Sequence, residues 1–317
     1  MNTVRLRSVV RGYIGGGWGH DECSATHPHH ARVIRGTDLP RIAAARTEGV
    51  PGRFHTASNL RRRLLSPGDV VFEVSGGSKD QPVGRSVLID ERTLQELGPA
   101  IPASFCKRIV HNPDVINPAF LHYHLMQLYA DRRITRWQVQ STGLSNFQFE
   151  AFLDDCEVPL PDLAQQAHVV SVLSAYDDLS RNCQRRIRIL EEMARRLYRE
   201  WFVHFRYPGH ESIPLAPSPF GPVPQGWELK PLRQLIVANI GGGWGKDAAE
   251  PGFEEPAWVI RGTDIPAAKN NEVTKVPFRY HSASNLRSRR LETGDIIFEV
   301  SGGSKGQPVG RSLLVTP

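Results

Sequence analysis

GDVVFEVSGGSKDQPVGRS, Gly68–Ser86, returns almost unchanged as GDIIFEVSGGSKGQPVGRS, Gly294–Ser312. Upstream, HTASNLRRR at His55 is answered by HSASNLRSR at His281, and VIRGTD at Val33–Asp38 by Val259–Asp264. IGGGWG begins at Ile14 and again at Ile240. Every pair is separated by the same 226 positions, without a gap over 76 residues, of which about half are identical. Solenoid repeats run about 20–50 residues, so a period this long marks a duplicated domain whose copies share a ligand or a geometry. By the same offset Pro317 corresponds to Glu91, and the residues from there to Trp201 have no counterpart. The second copy therefore reads as incomplete, a truncated chain or a fragment.

Within one copy, Val70–Val74 is a β-rich run between Pro67-Gly68-Asp69 and Gly76-Gly77, hence a strand between turns. Val87–Ile89 and Val33–Ile34 read as further short strands. Asn117–Tyr129 (NPAFLHYHLMQLY) places Pro at a helix start and apolar residues at helical spacing. The copy is thus a mixed α/β domain with a small twisted β-sheet, helices and many loops.

Val158-Pro159-Leu160-Pro161 holds the chain extended, and Asp162 is the expected N-cap of a helix from Leu163 to about Phe205. Its apolar positions, Val169, Val172, Tyr176, Leu179, Cys183, Ile187, Leu190, Ala194, Leu197 and Trp201, alternate in steps of 3 and 4 with one 4–4 step. That is a coiled-coil seam with a single stutter, on a rod about 60 Å long that wants a partner helix. Pro208–Gly226, with six prolines, is a linker.

Composition bounds the function. The 317 residues are 40% hydrophobic and 23% charged, the mix of a globular chain long enough for two domains. No window reaches the ~18 apolar residues of a membrane span and the N-terminus has no apolar signal core, so a cytoplasmic protein is expected. Four scattered cysteines form no CxxC pair, which excludes a disulfide framework and a zinc ribbon. A net charge of +6 and a pI near 9.3 favour an anionic partner, most often nucleic acid.

Taken together, these segments resemble the specificity subunit of Type I restriction–modification enzymes. Ser141–Val170 (STGLSNFQFEAFLDDCEVPLPDLAQQAHVV) is similar to that family's junction of polar loop, Pro-Leu-Pro step and Gln-rich helix start. Leu190–Phe205 (LEEMARRLYREWFVHF) looks like its helix end, and Pro224–Trp227 like the entry to a second recognition domain. The resemblance implies a first target-recognition domain at 1–157, a coiled-coil spacer helix at 158–207, a linker at 208–226 and an incomplete second recognition domain at 227–317. It further implies a non-catalytic reader of a bipartite duplex that docks methyltransferase (modification) and translocase/nuclease (restriction) subunits. S-adenosylmethionine, ATP and Mg²⁺ then belong to those partners, and none to this chain. The missing second spacer helix is a departure from the pattern. A coiled-coil scaffold without sequence-specific DNA binding, and self-association through the helix, stay open.

Phosphate and base contact needs cations and amides on surface loops, and arginine's planar fork suits guanine. The candidates are Arg35, Asn59, Arg61, Arg63, Ser75, Lys79 and Arg85, matched in the second copy by Arg261, Asn285, Arg287, Arg289, Lys305 and Arg311. The plain alternative is solvated loop charge. Candidates for subunit docking are Val172, Tyr176, Leu179, Ile187, Leu190, Leu197 and Trp201. SGGSK lacks the spacing of a nucleotide-binding loop, and its glycines read as a tight turn or a close approach to phosphate. Trp18 and Trp244 are either core anchors or surface aromatics. His20, Cys23, His27, His29 and His30 are the only metal-like cluster, and copy two lacks them. Asn117-Pro118-Ala119-Phe120 stands one residue from an adenine-methyltransferase signature, but with no cofactor loop it reads as a helix start. The strings Asp21–Arg32 and Arg41–Gly49 diverge most between the copies.

Overall fold

The computed structural model describes residues 2–77, 81–140, 145–270, 272–302 and 308–317. The chain divides into two compact units, 1–208 and 209–317. In the first, β1 (Thr3–Arg5), α1 (Leu6–Val9), β2 (Val10–Gly15), β3 (His29–Ile34), α2 (Leu39–Ala43), β4 (Gly52–His55) and α3 (Ala57–Arg63) come in order. Then follow β5 (Val70–Glu73), β6 (Ser75–Gly76), β7 (Ser86–Leu88), α4 (Glu91–Leu97), β8 (Ala100–Pro102), β9 (Cys106–His111) and α5 (Pro118–Ala130). A 3₁₀ turn at Arg133–Trp137, β10 (Gln138–Gln140), β11 (Ser145–Phe147), α6 (Phe149–Asp155), β12 (Glu157–Pro159) and the 40-residue α7 (Leu163–Phe202) complete it. This is a mixed α/β unit with small sheets and one long helix.

The core explains why VVFE reads as an unbroken apolar run. β5 sits inside an antiparallel sheet of order β2-β9-β5-β7 and is buried on both faces. Val70 and Phe72 enter one cluster, with Ile109, Leu121, Leu125 and Phe152, while Val71 enters another with Ile34, Leu39, Val87 and Ile89. Alternating side chains thus serve two cores, as the two-residue period of a strand dictates. A second sheet, β4-β3-β8, carries the segments that lead to the candidate site, and β10-β11-β6 ties Ser75–Gly76 to β11, the strand before α6.

Both helix starts behave as their sequences require. The Asn117 side chain accepts from the Ala119 and Phe120 N–H groups, so NPAF is the N-terminus of α5. Asp162 accepts from Gln165 N–H and begins α7, which ends at Phe202, three residues short of the expected end. Gln166, fully buried, anchors the rod: its Oε1 accepts from Asn117 N–H at 2.8 Å, and its Nε2 donates to the Pro161 and Val115 carbonyls. Farther along, Tyr123 donates to Asp177 at 2.6 Å and Arg181 reaches Asp90 at 3.7 Å.

The second unit contains β13 (Leu215–Ala216), β14 (Val223–Pro224), β15 (Glu255–Trp258), α8 (Ile265–Ala268), β16 (Phe278–His281), α9 (Ala283–Arg289), β17 (Ile296–Phe298) and β18 (Ser312–Leu314). Its pairings repeat those of the first unit in the same register. Glu255 faces His281 as His29 faces His55, and Ile296 faces Leu314 as Val70 faces Leu88. Thr56 and Ser282 cap equivalent helices. Burial differs: Phe72 is fully buried whereas its counterpart Phe298 is 60% exposed. The elements that cover Phe72, α5 and α6 among them, follow position 91 and have no aligned counterpart in 240–317.

Candidate functional site

The GGGWG loop is laid down by backbone bonds. Gly16 N–H donates to the Cys106 carbonyl and Gly17 N–H to that of Pro102, both at 2.9 Å, and His20 and Phe54 then exchange two bonds across to β4. A side chain at position 16 would collide with the Ala103 backbone. Gly19 adopts φ +78°, and a Cβ there would stand 2.5 Å from the His55 ring. Glycine is therefore required for the loop to close over β4 and α3. Arg63, from the last turn of α3, donates through Nε to the Gly15 carbonyl at 2.8 Å.

This closure lifts Trp18 to the surface, 40% exposed, with the Arg53 guanidinium 4.7 Å from the indole centroid. Asp21 pairs with the same guanidinium at 2.6 Å. Copy two rebuilds the arrangement: Trp244 is 48% exposed, Arg279 lies 4.3 Å over its ring, and Asp247 pairs with Arg279. Arg289 donates to the Gly241 carbonyl at 2.8 Å, as Arg63 does to Gly15. The Nε of each stacked arginine, Arg53 and Arg279, is buried without a hydrogen-bond partner among the described residues. A surface indole with a planar cation stacked on it offers a flat apolar face and a charge-assisted donor side by side, a combination suited to anionic, aromatic ligands.

Beneath the loop lies His55, fully buried, with no partner on either ring nitrogen among the described residues. Burial holds its pKa below the usual value, and His27, His30, Arg63 and His20 push the same way. The His20 and His27 rings lie 3.9 Å apart, tilted by 37°, while His30 packs on Phe54. Among the described residues no group of three His, Cys, Asp or Glu is arranged to hold a metal ion. Buried Cys106 and Cys156 have thiols pushed up to about 12, which makes them inert packing groups.

The candidate contact residues fall into separate groups. Asn59 and Arg63 meet beside the loop, with Arg63 Nη1 donating to Asn59 Oδ1 at 3.3 Å; Asn285 and Arg289 flank the same loop in copy two. Arg61 and Arg287 project from the same short helices into solvent. Arg35 is held by Asp38 through Nε and Nη2, and Arg261 is held likewise by Asp264. Ser75 donates to Asn146 at 2.9 Å. Arg85 and Arg311, candidates for phosphate contact, are instead engaged inside the fold, each in a bidentate pair with a buried glutamate, Glu73 or Glu299. A side chain at Gly36 would collide with Glu73, so the RGTD glycine makes room for that pair. Withdrawing Arg85 would leave a buried carboxylate uncompensated. Lys79 and Lys305 lie outside the described residues.

Sequence reasoning missed Arg53 and Arg279, because their role arises only where the loop meets β4. The signal was present all the same: Trp, Asp and Arg at 18, 21 and 53 recur at 244, 247 and 279. On α7 the expected seam is open. Val172, Tyr176, Leu179, Ile187, Leu190 and Leu197 are exposed, Tyr176 by 70%, and Trp201 is half-buried. At 100° per residue, the seam lies on the far side of the helix from Gln166, Asp177 and Arg181, which face the rest of the first unit. Among the described residues no helix is long and apolar enough to cross a membrane.

No family model matches the chain. Over 120 residues it is 28% identical to the Type I restriction enzyme MjaIX specificity subunit of Methanocaldococcus jannaschii, covering 37% of this chain and 28% of that protein. The MjaVIII specificity subunit of the same organism is 24% identical over 104 residues, covering 33% and 24%. Among solved structures, a Type-I restriction-modification system S subunit from M. genitalium aligns with a TM-score of 0.47 and 14% identity, covering 67% of this chain and 50% of that one. The HsdS subunit from Thermoanaerobacter tengcongensis aligns at 0.34 and 19%, covering 61% and 39%. The chain thus matches about a quarter of the length of these curated relatives. In sequence it is related to the specificity subunits of Type I restriction enzymes.

Proposed function

We propose that this chain is the DNA-reading subunit of a Type I restriction–modification complex, non-catalytic itself, binding duplex DNA with each copy of the repeat. The observation that carries the reading is the Trp–Arg–Asp constellation, built twice in one chain at the same offset. Identical constellations serve a contact common to both copies, and phosphate is the group that every duplex offers. The diverging strings, Asp21–Arg32 and Arg41–Gly49, are where base discrimination would reside. Of the candidate residues, Asn59, Arg61, Arg63, Asn285, Arg287 and Arg289 stand with this surface, whereas Arg85 and Arg311 are committed internally. The open seam of α7 is the docking face for modification subunits, or for a second copy of the helix. S-adenosylmethionine, ATP and Mg²⁺ would be bound by the methyltransferase and translocase/nuclease partners, and the assembly would work in the cytoplasm.

The test is co-purification with candidate modification subunits, followed by duplex titrations at increasing salt. A reader loses affinity steeply as salt rises, because each phosphate contact releases counterions. A coiled-coil scaffold, the reading that the exposed seam alone favours, would assemble with partners and show no duplex binding at any salt.

A further inference from the structure

We infer that the cleft between α4 and α7 is a second, sequence-independent seat for the phosphate backbone of the duplex. This inference rests on the function proposed above and adds a contact away from the Trp–Arg surface. The cleft is open, about 540 Å³, and Arg92, Arg181, Arg185 and Arg188 all line it. Of its acidic members, Asp178 pairs with Arg181 at 2.7 Å, while Glu96 accepts from the neutral Thr47 hydroxyl at 3.0 Å and keeps its charge, so the four arginines still outnumber the two carboxylates. Arg92, Arg185 and Arg188 have no ion-pair partner among the described residues. Three uncommitted guanidiniums therefore face one concavity.

Their placement follows from the helix. Residues 181, 185 and 188 recur at steps of 4 and 3, so they share the face that meets the first unit and stand away from the apolar seam. Successive arginines rise about 4.5–6 Å along the axis, which spreads the charge over a line and suits a run of phosphates better than a single anion. Among the described residues that line it, Ala45 is the only apolar one. Protein interfaces are anchored by buried aromatic and aliphatic groups, so a cleft without them fits a polyanion rather than a folded partner. Docking along the seam and phosphate binding in the cleft would then use opposite faces of one helix at once.

The test uses the full chain assembled with its modification subunits, an Arg185→Ala/Arg188→Ala variant, and a mixed-sequence duplex as probe. Alanine favours the helix, so circular dichroism and co-purification should match the parent. Each lost phosphate contact lowers the slope of log affinity against log salt by about 0.9, so the double variant should lose roughly 1.8 from that slope. Its low-salt affinity should fall about tenfold on cognate and unrelated duplexes alike. An Arg185→Glu/Arg188→Glu variant should lose more. An unchanged slope in both variants overturns the inference while leaving the proposed function standing. Loss of partner co-purification with the slope retained overturns it in favour of a protein contact. A parent complex without any salt-dependent binding removes the proposed function itself.

Discussion

Arg53 illustrates how a residue with no motif of its own becomes the centre of a site. It stacks on Trp18, pairs with Asp21, and lies beside the backbone bonds that close the loop. Arg53→Ala is expected to lower duplex affinity about tenfold, equally for target and unrelated sequences, in a fluorescence-anisotropy titration. Arg53→Lys should fail to restore it, because an ammonium lacks the planar fork that stacks and donates together. Buried histidines are expected to make the first unit acid-sensitive. Burial lowers the pKa of His55, His111 and His124, and takes His122 to about 4. The unfolded chain binds protons from about pH 6.5 downward while these groups refuse them, so stability is intact above that value and is lost as pH falls toward 4. His122 alone accounts for about 3 kcal/mol by the end of that window. Melting of residues 1–208 should shift steadily downward from pH 7.5 to 5, and His122→Leu should flatten the trend; a melting point that rises over this range contradicts the assignment.

At the level of elements, local chemistry was legible where local chemistry decides. Asp162 and Asn117 cap the helices that their flanking prolines announce, and VVFE occupies the strand that its turns delimit. The pairings of β1 with β12 and of β6 with β11 were not legible, since they join segments far apart in sequence through backbone groups that carry no side-chain signature. Gln166 belongs to the same class: a glutamine in a Gln-rich helix start looks solvent-facing until the Asn117 N–H and two carbonyls converge on it. Trp18 and Trp244 could be assigned to core or surface only once the glycine loop was seen to close beneath them. Gln166→Ala strands a buried N–H and two carbonyls, and is expected to cost about 2–4 kcal/mol in urea unfolding of the first unit. Gln165→Ala, which keeps the Asp162 cap because its backbone N–H remains, should cost little.

Across the whole chain, one sequence pattern folds twice in matching register but is buried unequally. Phe298, Ile296 and Val300 are exposed where Phe72 and Val70 are covered, so the second unit has the smaller core. Limited proteolysis should therefore cut within 227–317 before it cuts within 1–157, and duplex DNA should slow that cleavage. The shared Trp–Arg–Asp geometry also predicts that two complete copies would read related half-sites, giving a nearly palindromic interrupted target. Mapping of methylated positions in cells carrying the system would expose two unrelated half-sites if that inference is wrong.

A final consequence follows from the way α7 is rooted. Gln166, the Tyr123–Asp177 bond and the Asp90–Arg181 pair hold the first half of a rod about 60 Å long, and the helix runs about 30 Å farther to Phe202. Mechanically this is a lever rooted over half its length, and a single degree of rotation at the root swings the tip by about 0.5 Å over the remaining span. Whatever grips the outer end inherits that leverage, so slackness among the contacts at the root would translate into tolerance for the distance between two places on a double helix.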